Sequence, residues 1–294
     1  MNNALLIGSI YPKQLAMLDK FFKGEQDFDL FISTDYEQRA DVKAVLQSFK
    51  NLKVERLLSH DWLLDYIVQR DSVFRQYELG FKIGAVKWLQ LSGYDRWMIH
   101  DDDVILKQSL FTEPWTNHDL AVSKIHFDRY NYFDFYERTA NTEDIENFNR
   151  IWGLDLKSEW KWAELSSNGD ILCGCGDTRY WNIWEDALEQ FVSDPYFLSQ
   201  IEQRGFRGDG NRVRCYDQRF FTFWLHRLRA EGFDVASYTG TKETHVSYYL
   251  ERYDKRPEQF HRAFHNDAYY FVHYACGARK ELVLDYLEEQ TPST

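Results

Sequence analysis

The chain has 294 residues and a formal net charge of −12, with 44% hydrophobic and 17% aromatic residues. That content excludes intrinsic disorder and allows a large buried core. The acidic balance excludes a protein that coats nucleic acid or anionic membrane without specificity, though not one with a local basic groove.

Residues Ala4 to Ile10 form a short apolar run with no basic region ahead of it, which reads as a buried strand and not as a signal peptide. No stretch approaches the ~18 apolar residues of a membrane span, so the expected location is cytoplasmic. Helical spacing over 13–23, a second apolar run at Asp29–Asp35, a helix over Asp41–Phe49 and a strand at Lys53–Leu57 complete two β-α-β units. That alternation predicts a mostly parallel sheet with right-handed crossovers. Ligands of such sheets bind beyond the C-terminal ends of the strands, where Ser9, Thr34 and Asp35 fall.

Ser72–Leu91 has the spacing of a helix, with an apolar stripe through Val73, Tyr77, Phe81, Ala85 and Trp88, and Gly93 as its stop. Arg75 and Lys82 lie two turns apart on another face, which is either simply solvated or turned toward a phosphate. The helix leads into Trp97-Met98-Ile99-His100-Asp101-Asp102-Asp103-Val104-Ile105-Leu106. Three adjacent Asp repel one another and are poor strand formers. A hard divalent cation, Mg²⁺ or Mn²⁺, would cancel that repulsion with oxygen ligands. In extended chain Asp101 and Asp103 share a side, whereas Asp102 points elsewhere. The plainer alternative is a solvated acidic turn.

His118–Ile125 reads as another strand. Residues 126–165 are rich in aromatic and acidic residues with little periodicity, as in a lid or acceptor wall, although core packing is the commoner use of aromatics. Ser166–Gly176 reads as a strand with small residues where another group approaches closely, and 179–191 as a helix. The segment 201–230 holds seven Arg against three acids, and Tyr216-Asp217-Gln218 opens a helix within it. A strand at Phe233–Tyr238, the run His261, His265, His273 and a helix near 279–289 complete the chain. Cys173, Cys175, Cys215 and Cys276 read as reduced thiols, since no second close pair completes a zinc set.

Arg75 and Lys82 on a helix, followed by Tyr94 to Val104 with its D-x-D at Asp101 and Asp103, resemble the donor half of a GT-A nucleotide-sugar glycosyltransferase. Ser167-Asn168-Gly169 is similar to that family's strand beside the donor sugar, and Asp217-Gln218 to its Asp-Gln pair at the sugar ring. His273-Tyr274-Ala275-Cys276-Gly277-Ala278-Arg279-Lys280 is similar to its C-terminal His-aromatic-x-Gly-x-x-Lys signature, with Gly and Lys one residue further from the His and no Pro-Trp following. The nearest subgroup is the glycogenin-like and lipopolysaccharide galactosyltransferase-like retaining enzymes, and the likeness spans roughly residues 4–280.

The resemblance implies an α/β fold: one large GT-A (Rossmann-like) domain over 1–294, its mixed, mostly parallel sheet flanked by helices. Its donor half is 1–125, ending in the D-x-D motif, and its acceptor half is 126–294. It implies Mn²⁺ or Mg²⁺ held by Asp101, Asp103 and His273, and a UDP-sugar donor. Ser9 and Asp35 would bind the nucleoside, and Lys280, Gly277, Arg75 and Lys82 the diphosphate side. Asp102, Asn168 and Gly169 would line the donor, and Asp217 and Gln218 would act at the anomeric carbon. The acceptor stays open between a glycan, a glycolipid core and a hydroxymethylated DNA base, the Arg-rich segment suggesting an anionic one. Two other classes compete: a sugar-1-phosphate nucleotidyltransferase, which should carry a Gly-rich basic loop that Gly8-Ser9-Ile10-Tyr11-Pro12 lacks, and a non-catalytic nucleotide-sugar binding protein.

Overall fold

The structure is a computed structural model that describes residues 2–8, 12–22, 25–34, 39–64, 66, 78–101, 104–123, 142–156, 165, 167, 171–176, 181–204, 216–238 and 271–273. The first half alternates β1 (Asn3–Gly8), α1 (Pro12–Phe21), β2 (Asp29–Thr34), α2 (Arg39–Leu46) and β3 (Val54–Ser59). Then come α3 (His60–Leu64), α4 (Glu78–Leu91), β4 (Arg96–His100), the short β5 (Val104–Leu106) and β6 (Leu120–Ser123). The second half supplies α5 (Thr142–Trp152), β7 (Ile171–Cys175), α6 (Trp181–Ser193), α7 (Pro195–Arg204), α8 (Tyr216–Ala230), β8 (Val235–Tyr238) and β9 (Phe271–His273).

Seven strands form one sheet in the order β3-β2-β1-β4-β7-β6-β8. All its pairings are parallel except those of β7, which runs antiparallel to β4 and β6. β1 is buried along its whole length, as its unbroken apolar run requires of a strand covered on both faces. One face carries a core of α1 and α2 residues (Leu15, Leu18, Phe22, Val42) together with β5 and Phe271 of β9. The other carries Leu63, residues of α4, α5, α6 and α8, and Phe197 of α7.

Two local devices hold this frame. Gly93 has φ 77°, the left-handed stop that ends α4 where a side chain would strain. Asp19, buried on α1, accepts backbone N–H groups from Lys50 (2.9 Å), Asn51 (2.7 Å) and Leu52 (2.9 Å), fixing the approach to β3. Asp19→Ala is therefore expected to cost about 2 kcal/mol, since three donors lose a charged acceptor. Urea denaturation measures this, and an unchanged midpoint would remove Asp19 from the frame.

The structure departs from the sequence expectations in two places. Residues 142–152 are helical where the 126–165 segment reads as aperiodic, and Ile145, Phe148 and Trp152 are buried at i, i+3, i+7 spacing. The Phe148 ring lies 4.0 Å from Phe223 and 4.4 Å from Phe197 between centroids, so this stretch is core and not a lid. A helix at Pro195–Arg204 follows α6 directly, with Asp194 accepting Tyr196 N at 3.0 Å as its N-terminal cap. The close approach expected at the small residues of and after β7 is present, and the groups that approach belong to the chain itself. A Cβ on Gly174 would meet the Trp97 indole at 2.3 Å, and one on Gly176 the Tyr94 carbonyl at 1.7 Å.

Candidate active site

Three strand ends and one strand start meet at one edge of the sheet. In register, Ile7 of β1 lies beside His100 of β4, which lies beside Ile171 at the start of antiparallel β7. Gly8 pairs with Ser33, one residue before Thr34. Ser33 and Thr34 are fully buried, and neither hydroxyl has a hydrogen-bond partner among the described residues.

Asp101 stands where β4 leaves the sheet. Lys82 of α4, 2% exposed, places Nζ 2.9 Å from its Oδ1 and 3.0 Å from Oδ2, straddling the carboxylate. The Asp101 carbonyl accepts Val104 N–H at 3.2 Å and lies 2.8 Å from His100 Nδ1. A carbonyl can only accept, so Nδ1 of that imidazole carries the proton. Of the two options for Lys82, the ammonium is neither solvated nor free: it faces the first Asp of the triplet.

β5 then pairs antiparallel with β9, setting Val104 opposite His273 and Leu106 opposite Phe271. This places the backbone of residue 273 across from the residue that follows Asp103. Asp217 and Gln218 lie in the first turn of α8. One turn on, Thr222 Oγ1 accepts Ser167 N–H at 2.9 Å, and His226 Nε2 lies 3.0 Å from the Leu165 carbonyl. The stretch leading into Asn168-Gly169 is thereby docked on the helix that begins with Asp217-Gln218.

Ser9, Asp35, Arg75, Asp102, Asp103, Asn168, Gly169, Gly277 and Lys280 lie outside the described residues, as do the side chains of Asp217, Gln218 and His273. Among the described residues no three His, Cys, Asp or Glu side chains converge as a ligand set. The donor set nonetheless fits a hard divalent cation: carboxylates between β4 and β5, with an imidazole position brought alongside by the β5–β9 pairing. Cys173 does not compete for such an ion, because complete burial pushes its thiol up to about 12 and keeps it protonated.

Two of the seven arginines in 201–230 have structural roles. Arg227 donates to the Trp152 carbonyl and pairs with Glu231 at 3.0 Å, and Arg229 donates to the Val235 carbonyl at 3.3 Å. The sequence reading passed over His100, Thr222 and His226. The first had a visible signal, an imidazole ending an apolar strand directly before the acids. The other two sit four residues apart on one face of a helix whose aromatic residues, Phe220, Phe221, Phe223 and Trp224, lie on other faces.

A β-α-β first half, one antiparallel strand beside an acidic crossover, and a small ribbon returning from the C-terminal region define the GT-A fold of nucleotide-sugar glycosyltransferases. Among solved structures the chain is similar to the apo form of mouse xyloside xylosyltransferase 1, with TM-score 0.53 and 12% identity over 93% of this chain and 98% of that one. It is also similar to the galactosyltransferase LgtC in complex with donor and acceptor sugar analogues, with TM-score 0.47 and 13% identity over 100% and 98% of the two chains. No protein-family model matches the chain, and no curated protein matches it in sequence. No described helix is long and apolar enough to cross a membrane.

Proposed function

We propose that this chain is a metal-dependent glycosyltransferase that moves a sugar from a UDP-sugar to an acceptor hydroxyl with retention of configuration. The observation that carries the reading is the β5–β9 register, which sets residue 273 beside the end of the acidic triplet from 170 positions away in sequence.

In this reading Asp101, Asp103 and His273 hold the ion, Mn²⁺ or Mg²⁺. A cation bound there supplies Lewis-acid stabilisation of the departing diphosphate, whose negative charge grows in the transition state. Lys280 and Gly277 bind the β phosphate. Ser9 and Asp35 receive the nucleoside beside the Ser33 and Thr34 hydroxyls, unpartnered among the described residues. Asn168, Gly169 and Asp102 position the sugar. Asp217 and Gln218, at the N-terminus of α8, stabilise positive charge developing at the anomeric carbon. Lys82 holds the Asp101 carboxylate in place and offsets part of the triplet's repulsion. A screen of nucleotide sugars for donor hydrolysis, with Mn²⁺ and with chelator, tests the reading. It predicts Mn²⁺-dependent release of UDP; no turnover and no Mn²⁺-dependent UDP binding would overturn it.

The acceptor is read as phosphate-bearing. The segment 201–230 holds seven arginines against three acids, of which Arg227 and Arg229 bind the scaffold. Arg212→Ala with Arg214→Ala is expected to weaken acceptor binding and flatten its log-log salt dependence by about one unit per lost phosphate contact, while donor hydrolysis continues. DNA carrying hydroxymethylated bases and an anionic glycolipid core are the two acceptors to compare. An unaltered salt slope would leave a neutral glycan.

A further inference from the structure

His100 is 1% exposed at the end of β4, between Ile7 and Ile171 of the neighbouring strands. The residues before it are the apolar Trp97, Met98 and Ile99, and Val104, Ile105 and Leu106 beyond the acids belong to the core on the α1 face. An imidazole buried at such a place carries a desolvation cost that an aliphatic side chain would not, unless its polar atoms are used. One is: Nδ1–H donates to the Asp101 carbonyl at 2.8 Å, shorter than the 3.2 Å bond from Val104 N to the same oxygen.

Asp101 is thus gripped from three elements, its carboxylate by Lys82 of α4 and its carbonyl by His100 of β4 and Val104 of β5. The backbone that carries the ring belongs to a strand paired on both sides, and the ring itself is enclosed. At the far end of the triplet, Val104 is held by its pairing with β9. We propose that His100 is a positioning residue for the acidic turn, its Nδ1–H holding the Asp101 peptide in place for divalent-cation binding before the cation arrives. The inference rests on the reading of that turn as the cation site. It deepens it by assigning the pre-organisation to one side-chain N–H, since partners behind a ligand set orient the ligands and raise affinity.

The test is calorimetric titration of Mn²⁺ into the full chain with saturating UDP, for wild type, His100→Leu, His100→Gln and His100→Asn. Asparagine places an amide N–H about where Nδ1 lies, whereas glutamine places it about where Nε2 lies. Leu and Gln are expected to weaken Mn²⁺ about tenfold, the lower end of the loss seen when such partners are removed. Asn is expected to stay within about threefold of wild type, on the same reasoning. If wild type binds Mn²⁺ and all three variants bind it equally well, His100 has no positioning role and the cation site stands. If Asn loses as much as Leu, the ring matters for its shape alone and the proposal is overturned. If wild type itself fails to bind Mn²⁺ with UDP, the site reading falls and this inference with it. Should His100→Leu not fold, the Asn and Gln variants, matched in polarity and checked by thermal melting, decide the matter.

Discussion

Asp103→Asn is expected to lower glycosyl transfer about 10³-fold while leaving the melting temperature unchanged. In the proposed reading the substitution removes one ligand charge and no volume, at a place between β4 and β5. The loss of a group aimed at developing charge costs on the order of 10²–10³ in rate, and a metal ligand belongs at the upper end. The informative control is a parallel measurement at saturating Mn²⁺. Full activity there would mean that the acids do not hold the cation.

Lys82→Met should have the largest effect on stability. The ammonium is buried and touches both oxygens of Asp101, whose side chain is 26% exposed. Removing one member of a buried pair strands the other charge, at a cost of about 3–5 kcal/mol when both are fully enclosed. The partial exposure of Asp101 brings the expectation to about 3 kcal/mol. Because the stranded charge is a carboxylate beside the other two acids, Mn²⁺ should restore part of the loss where chelator does not. Denaturant unfolding under the two conditions reads both effects. A stability insensitive to Lys82, or a loss untouched by Mn²⁺, would separate this ion pair from the cation site.

The strands and helices of the first half were legible because each is buried by a simple pattern. Leu5, Leu6 and Ile7 make a continuous apolar run, and Leu15, Leu18 and Phe22 recur at helical spacing, so period and composition suffice. Helix Thr142–Trp152 obeys the same rule, with Glu143 and Asp144 in its first turn, yet the aromatic residues around it obscure the period. The ends of elements shifted by a few residues where capping decided them. Asp194, for example, begins a new helix directly after α6 and needs only one carboxylate to do so.

The candidate site divides along the same line. The acidic triplet, the Asp217-Gln218 pair and the His-Gly-Lys stretch stand out locally, because adjacent like charges and paired polar residues are costly enough to be noticed in the chain itself. What each of them faces is a matter of long-range pairing. That Lys82 grips Asp101, that residue 273 lies opposite Val104, and that Ser167 is tied to Thr222 follow from register and helix docking. Those pairings draw their free energy from contacts closed only once the intervening loops have been ordered, so no segment carries its partner in its own composition. The α/β alternation was thus readable from residue order, as was the acidic triplet on which the proposed cation site rests. Which side chain stands behind each ligand, including the imidazole behind Asp101, came from packing, because burial alone determines whether a polar atom must find a partner and which one lies within reach.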